Sequence, residues 1–376
     1  MLIPSLLLPP RQAIQPALLE RAGSFHRATA PARGLFLLSV LCWVSTALAS
    51  EPCQAPATPR SASTLNLRMD NDLLGGTGQD QGYSNGILAT LVSPNLADQA
   101  NSTCLPGVAR WLSQQFAERQ SSTIDEWHLT AGFGHLMFTP TERKRRGLIA
   151  SDRPYAGALM FSLGYSARTG DVLRTSQLRV GVVGPSAKAG EVQNALHRVI
   201  GADSSLGWDN QLHDEPVIQL IHERRERLHS SSSSQAWQWD AIGAVGGSIG
   251  NFATAAHAGM ELRLGTELSD DFGMAPLRPA GENTSAFQTL ADGMWRSHLF
   301  LSLDARWVMR DITLDGNTFR NSHSVDKRPF VADIGYGIAA DRGRWRIAFA
   351  RYHRTREFAG QRQRPVFGSV TFTRGF

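Results

Sequence analysis

Leu299-Phe300-Leu301-Ser302-Leu303-Asp304-Ala305-Arg306 is the stretch whose reading decides the fold. Successive residues of an extended chain point to opposite faces. Leu299, Leu301, Leu303 and Ala305 therefore share one face, while Phe300, Ser302, Asp304 and Arg306 lean towards the other. An apolar face backed by one carrying Asp and Arg is the pattern of a strand with lipid outside and a polar lumen inside. Working outward, comparable segments bounded by Gly, Pro, Asn, Asp and Ser clusters recur from residue 62 to the end. They are read near 63–71, 83–92, 127–137, 156–166, 174–184, 214–227, 236–248, 253–266, 295–308, 328–340, 343–354 and 366–376. Twelve is an even number, as bacterial outer-membrane barrels require, and strands of about ten residues cross a bilayer when tilted. The expected fold is all-β, a twelve-stranded antiparallel transmembrane barrel. A soluble β-sandwich would show the same alternation. Strand length, the terminal Val370-Thr371-Phe372-Thr373-Arg374-Gly375-Phe376 and the export signal described next argue for the barrel. A C-terminal aromatic on an alternating last strand resembles the assembly signal of outer-membrane proteins, although Arg374 departs from its apolar pattern.

The chain has 376 residues, a net charge of +5, 35 glycines and 19% charged residues. After Arg33, the apolar run Leu35 to Val44 is followed by Ser45-Thr46-Ala47-Leu48-Ala49, the layout of a secretory signal. That run is short for a membrane anchor. Residues 1–49 are read as this signal, 50–61 as a periplasmic segment and 62–376 as the barrel. The leader ahead of the apolar run is long for such a signal and points to a start downstream of Met1. Beyond the signal, no stretch approaches the ~20 apolar residues of a transmembrane helix, so a membrane form must be a closed barrel. Of three cysteines, Cys42 leaves with the signal. Cys53 and Cys104 remain in an oxidising compartment as a pair or as two free thiols.

Alternate connections of an up-and-down barrel share a rim. With both termini periplasmic, the outward connections are 72–82, 138–155, 185–213, 249–252, 309–327 and 355–365. Cys53 and Cys104 then fall at the periplasmic end. The connections 93–126 and 267–294 are long for periplasmic turns; the first is expected to hold a short helix around Val108–Ala117.

The polar clusters gather on the outward rim. Asp70-Asn71-Asp72 ends the first strand before a loop with Gly75, Gly76 and Gly78. Two carboxylates and an amide offer hard oxygen ligands for Ca²⁺ or Mg²⁺, and equally the caps of a solvated turn. Tyr83-Ser84-Asn85-Gly86 opens the second strand, where pairing brings Ser84 and Asn85 near Asn71 and Asp72. Ser84 or an amide there can orient a substrate carbonyl; alternatively Asn85-Gly86 is a bend. Arg143-Lys144-Arg145-Arg146 and Asp152-Arg153-Pro154 concentrate positive charge on the same rim. Lys144, Arg145 and Arg153 are candidates for gripping lipopolysaccharide phosphate, and an exported barrel excludes nucleic acid as their partner. Gly190 to Ile200 reads as a helix with Val192, Ala195, Leu196 and Val199 as its apolar stripe. His197 lies beside that stripe with Gln193 one turn earlier, and Gly207-Trp208-Asp209-Asn210-Gln211 follows in the same loop. His197 is the candidate general base, with His213 as rival. The chain has neither a G-x-S-x-G elbow nor an H-E-x-x-H motif. His-activated water beside a bound cation is then the simplest chemistry these residues support.

Taken together, D-N-D at 70–72, Y-S-N-G at 83–86, D-R-P-Y-A-G at 152–157 and G-W-D-N-Q-L-H-D-E at 207–215 resemble the outer-membrane lipid A 3'-O-deacylase family. Leu314-Asp315-Gly316-Asn317 and Arg356-Glu357-Phe358 extend the resemblance across residues 62–376. It implies a Ca²⁺-binding barrel in the bacterial outer membrane that removes the 3'-linked acyloxyacyl chain of lipid A. The family's Asn-Asp pair falls on Asn71 and Asp72, its hydroxyl on Ser84 in place of the more usual Thr, and its catalytic His on His197. Asp70, where Glu is common, and Asp72 are the implied metal ligands. A monomer is the expected state. An outer-membrane phospholipase is the competing enzyme, but Gln81-Gly82-Tyr83 lacks the His it places before its Ser. A non-enzymatic pore is the competing class and requires an open lumen.

Overall fold

The computed structural model describes residues 63–75, 82–97, 124–200, 204–232, 234, 236–273, 286 and 293–376. Within them the chain forms β1 (Thr64–Asn71), β2 (Gly82–Val92), β3 (Glu126–Thr139), β4 (Ala156–Thr169), β5 (Val172–Val183) and β6 (Glu215–Ser230). The second half adds β7 (Gln238–Gly250), β8 (Ala253–Gly265), β9 (Trp295–Asp311), β10 (Phe330–Arg342), β11 (Trp345–Arg354) and β12 (Val366–Gly375). Each strand pairs antiparallel with its sequence neighbours, and β1 pairs with β12 from Thr64↔Gly375 to Asn71↔Gly368 to close the barrel. All twelve expected strands are present, with ends within a few residues of the sequence reading. The segment read as a signal, Cys53, Cys104 and the helix expected at 108–117 lie outside the described residues.

The alternation divides wall from lumen. On β9, Leu299, Leu301 and Leu303 are exposed on the outside, whereas Phe300, Ser302, Asp304 and Arg306 are buried inside. The lumen is packed with charge held in pairs. At the inner end Arg263 binds Asp240 (2.9 Å) and Arg346 binds Asp341 through Nη2 (2.6 Å). The segment after β8 turns into this end. Asp271 bridges Arg263 and Arg346, the latter at 2.6 Å, and Phe272 is covered by the guanidiniums of Arg168 and Arg227 at 5.4 and 5.3 Å. The first residues of this connection thus enter the lumen at its inner end. At the outer end Arg354 and Arg306 share Asp333, at 2.7 and 2.8 Å.

Among the described residues the outer connections carry the helices α1 (Ala189–Ile200) and α2 (Ile312–Asp315). At the other end of the wall Arg374 lies over the rings of Trp345 and Phe376, 4.5 and 5.1 Å away. Its departure from an apolar terminal pattern is thus met by two aromatic faces.

Candidate active site under helix α1

Cross-strand partners face the same side of a sheet. Asn71 pairs with Asn85, Asn85 with Met137, and Met137 with Gly157. These positions continue the outward series of Leu67, Met69, Ile87 and Phe161. The row from Asn71 to Gly157 therefore lies on the membrane-facing side of the wall, at its outer end, and not in the lumen. It is buried because α1 and the turn before it roof it over: the His135 Nε2 lies 2.8 Å from the Ala187 carbonyl, and Ala189 packs on Gly157. A Cβ at Gly157 would fall 2.3 Å from the Ala189 Cβ, so only glycine admits the helix.

The motif Tyr83-Ser84-Asn85-Gly86 now has a physical reading, residue by residue. The Tyr83 hydroxyl crosses into the lumen and donates to Asp70 (3.0 Å), which requires Gly86, since a Cβ there would meet the Tyr83 oxygen at 1.8 Å. Register shifts between Tyr83 and Asn85, making Ser84 a β-bulge; bulges re-aim a side chain. Ser84 Oγ donates to the Met137 carbonyl (3.2 Å) and accepts from Gln193 Nε2 (3.4 Å). Asn71 Nδ2 donates to Asn85 Oδ1 at 2.5 Å, and the Asp72 amide to the Ser84 carbonyl at 3.2 Å.

Helix α1 turns an unexpected stripe to the wall. Among its described side chains, Ala189, Gln193 and His197, spaced four apart, are buried, Gln193 and His197 fully so. Val192 packs against the cluster of Met137, Tyr155, Ala189 and Trp208, Leu196 is half-buried and Ala195 is exposed, so the apolar stripe read from the sequence borders the packing face and does not form its centre. Trp208 Nε1 donates to Gln193 Oε1 (2.9 Å), which fixes that amide with its NH₂ group towards Ser84. The structure thus brings Asn71, Asp72, Ser84 and the Gln193–His197 stripe into one neighbourhood. The sequence places Gln193 one helical turn before His197 and Asn85 beside Asn71, but assigns neither a role of its own. His213 is exposed on the rim, its backbone tied to the Asn317 side chain at 2.9 and 2.8 Å.

Two expectations meet a different environment. Asp70 points into the lumen, opposite in facing to Asn71, and is held by Arg68 (2.6 Å) and Tyr83; its charge is already neutralised, so it does not fit a metal ligand of this site. Arg153 is buried, donating to Glu357 (3.1 Å) and Thr313 (2.6 Å) with Phe138 beneath it at 5.0 Å. It clasps three outer loops rather than presenting a free guanidinium. Burial pushes the Glu357 carboxyl up, but Arg354 and Arg153 outweigh this and hold it below the usual range. Tyr155 of the same motif packs on Trp208 (5.0 Å between rings) and donates to the Arg143 carbonyl (3.1 Å), and burial raises its phenol to about 12. Lys144 and Arg145 are exposed, and their segment is anchored by Leu206 N to Arg143 O (2.8 Å) and Asn210 Nδ2 to Arg146 O (2.6 Å).

Asp72 is a buried carboxylate at the site, 1% exposed, and its chemistry fits one oxygen ligand of a hard cation. Among the described residues, no group of three or more His, Cys, Asp or Glu side chains converges as a metal cage.

Comparison with known proteins matches the profile of the family described as outer membrane protein LpxR to residues 35–376. Among solved structures, LpxR from Salmonella typhimurium aligns with a TM-score of 0.64 at 17% identity, covering 83% of this chain and all of that one. The β domain of the Bordetella autotransporter BrkA aligns at 0.41 with 10% identity, covering 84% and 100%. No curated protein matches the chain.

Proposed function

The chain belongs to the outer membrane protein LpxR family, the lipid A 3'-O-deacylase family, and from that premise we propose that it hydrolyses the 3'-linked acyloxyacyl ester of lipid A at the site under α1. One observation carries this reading. The chain of hydrogen bonds from Trp208 through Gln193 to Ser84 lies on the membrane-facing side of the wall. A lipid of the outer leaflet reaches such a site laterally, without entering the lumen.

In the proposed reaction His197 takes a proton from water, and the water oxygen attacks the acyl carbonyl. The acyl–oxygen bond then breaks, and the sugar hydroxyl leaves with the proton returned by His197. Ser84 directs its only hydrogen at the Met137 carbonyl, so the second N–H of Gln193 and the Asn71 amide are the better oxyanion donors. Lys144 and Arg145, exposed on the rim, take the phosphates in this proposal; Arg153 holds the loops. Ca²⁺ bound through Asp72 would polarise the ester carbonyl.

Mass spectrometry of lipid A from cells expressing the chain tests the reading. Loss of one acyloxyacyl group with wild type, and not with His197→Gln or Asn71→Ala, is the expected result. Unaltered lipid A from wild type, with the barrel assembled in the outer membrane, overturns it. Chelation should abolish turnover and added Ca²⁺ restore it; full activity in chelator removes the metal from the proposal.

A further inference from the structure

The opposite wall carries a groove that the deacylase reading leaves unused. Ala258, Ala305 and Ala332 pair across β8, β9 and β10 in one outward-facing row. Next to them towards the outer rim, Trp307 pairs with Phe330, both exposed. Elsewhere on β9 and β10 the same face is filled by Leu299, Leu301, Leu303, Ile334 and Ile338. Three alanines beneath an aromatic ledge thus leave a depression of about 800 Å³, within the ~300–1,000 Å³ of sites that hold small ligands.

Arg328, Arg356 and Arg364 line its outer end. All three are exposed, and among the described residues no ion pair joins any of them to a carboxylate. The lumenal arginines behave otherwise: Arg263, Arg306, Arg346 and Arg354 are each bound to an Asp. Arg356 Nη2 donates to the Arg362 carbonyl (3.1 Å), which leaves its charge without a carboxylate; the two loops that supply these cations are fastened together, Arg328 N donating to the Glu357 carbonyl (2.7 Å) and Ala359 N to the Asp326 carbonyl (2.9 Å). The guanidiniums are therefore presented from a fixed rim over an apolar floor.

We propose that this groove is a second lipid-binding site, taking a phosphomonoester-bearing lipid A molecule of the outer leaflet as a bound, unreacted lipid. The acyl chain lies on the alanine row against Trp307 and Phe330, and the phosphate is taken by the three arginines. Arg suits phosphate because its planar fork bonds two oxygens at once. A phosphomonoester carries about −1.5 to −2 charges, which matches clustered cations better than the single charge of a phosphodiester phospholipid. The site lies at the same rim as the α1 site but some six strands away around a twelve-stranded barrel. Binding there needs only outer-membrane residence and is independent of the catalytic assignment.

Native mass spectrometry of the full chain in detergent, titrated with bis-phosphorylated lipid A, tests the site. Replacing Arg328, Arg356 and Arg364 by Ala together should weaken retention of one lipid on the order of a hundredfold. Ala305→Trp, which fills the floor and leaves the cations in place, should do the same, whereas Gln193→Leu on the far wall should leave that lipid bound. Wild-type retention by the triple variant overturns the proposal, whatever the outcome of the turnover assay. Equal retention of phosphatidylglycerol by the wild type overturns the assignment to lipid A.

Discussion

Arg153 shows how a charged residue on a rim can be structural. Its guanidinium is shared between Glu357 and Thr313 and lies on Phe138, so it joins connections that are 160 and 204 residues away in sequence. Arg153→Ala would leave the buried Glu357 with Arg354 as its remaining cation, and breaking such a pair costs about 3–5 kcal/mol. A fall in the melting temperature of the folded barrel, read by heat-modified electrophoretic mobility, is the expected outcome. Arg153→Lys should recover only part of it, because an ammonium cannot reach both acceptors in the same plane. Trp208 works on a smaller scale. Trp208→Phe keeps a ring against Tyr155 but removes the hydrogen bond to Gln193. A net loss of about 0.5–1.5 kcal/mol would lower kcat about two- to twelvefold with KM little changed; an unchanged kcat would show that Gln193 needs no such orientation. From sequence, Trp208 and Arg153 were visible as members of motifs. The pairings were not: Gln193 shares a connection with Trp208 but meets it only once the helix folds back, and Glu357 and Thr313 reach Arg153 from other loops.

At the scale of elements, α1 is placed by two features that a helical pattern does not contain. One is Gly157, which lets Ala189 touch the wall; the other is the bulge at Ser84, which lets β2 reach the helix. Periodicity located the helix within a residue of its start but only the border of its packing face, since a stripe of Ala, Gln and His is a poor apolar signal. A helix that buries polar groups against local pattern marks a functional constraint. Gly157→Ala should displace α1 and cut turnover about tenfold or more while the barrel assembles normally, because misplacing a catalytic group by about 1 Å is costly. Adding Ala189→Gly should restore much of the loss, since it removes the atom that the new methyl strikes. Failure of the double variant to recover would show that the contact is not what seats the helix.

For the whole molecule, the decisive fact is a lumen crossed by ion pairs at both ends. Asp271 enters from the β8–β9 connection to bridge Arg263 and Arg346 at the inner end, and the Asp333–Arg354–Glu357 group crosses the outer end. A barrel so filled should show no steady conductance in a planar bilayer; open-pore steps from the wild type would favour a channel. The plug also sets an acid limit. Burial pushes the Asp271 carboxyl up, but Arg346 and Arg263 overcome this and hold it well below the usual range. A depressed carboxyl contributes stability above its unfolded value of about 4, and that contribution is lost as pH falls through the folded value. Glu357 acts with the same sign. The melting temperature should therefore hold from pH 7 to about 5 and fall below about 4, with Asp271→Asn flattening the acid limb.

The sequence alone determined the barrel, its strand number and the rim on which the polar motifs gather. Period-two alternation and turn residues are local properties, and the parity of connections follows from them by counting. It could not determine the side of the wall. Asp70 and Asn71 are adjacent, yet one faces a lumenal arginine and the other the membrane side under α1. Nor could it show that Arg153 is spent on Glu357, or that a loop without pattern supplies the plug. Those outcomes depend on which distant side chains reach the same point when the sheet closes, and only the tertiary structure carries that information.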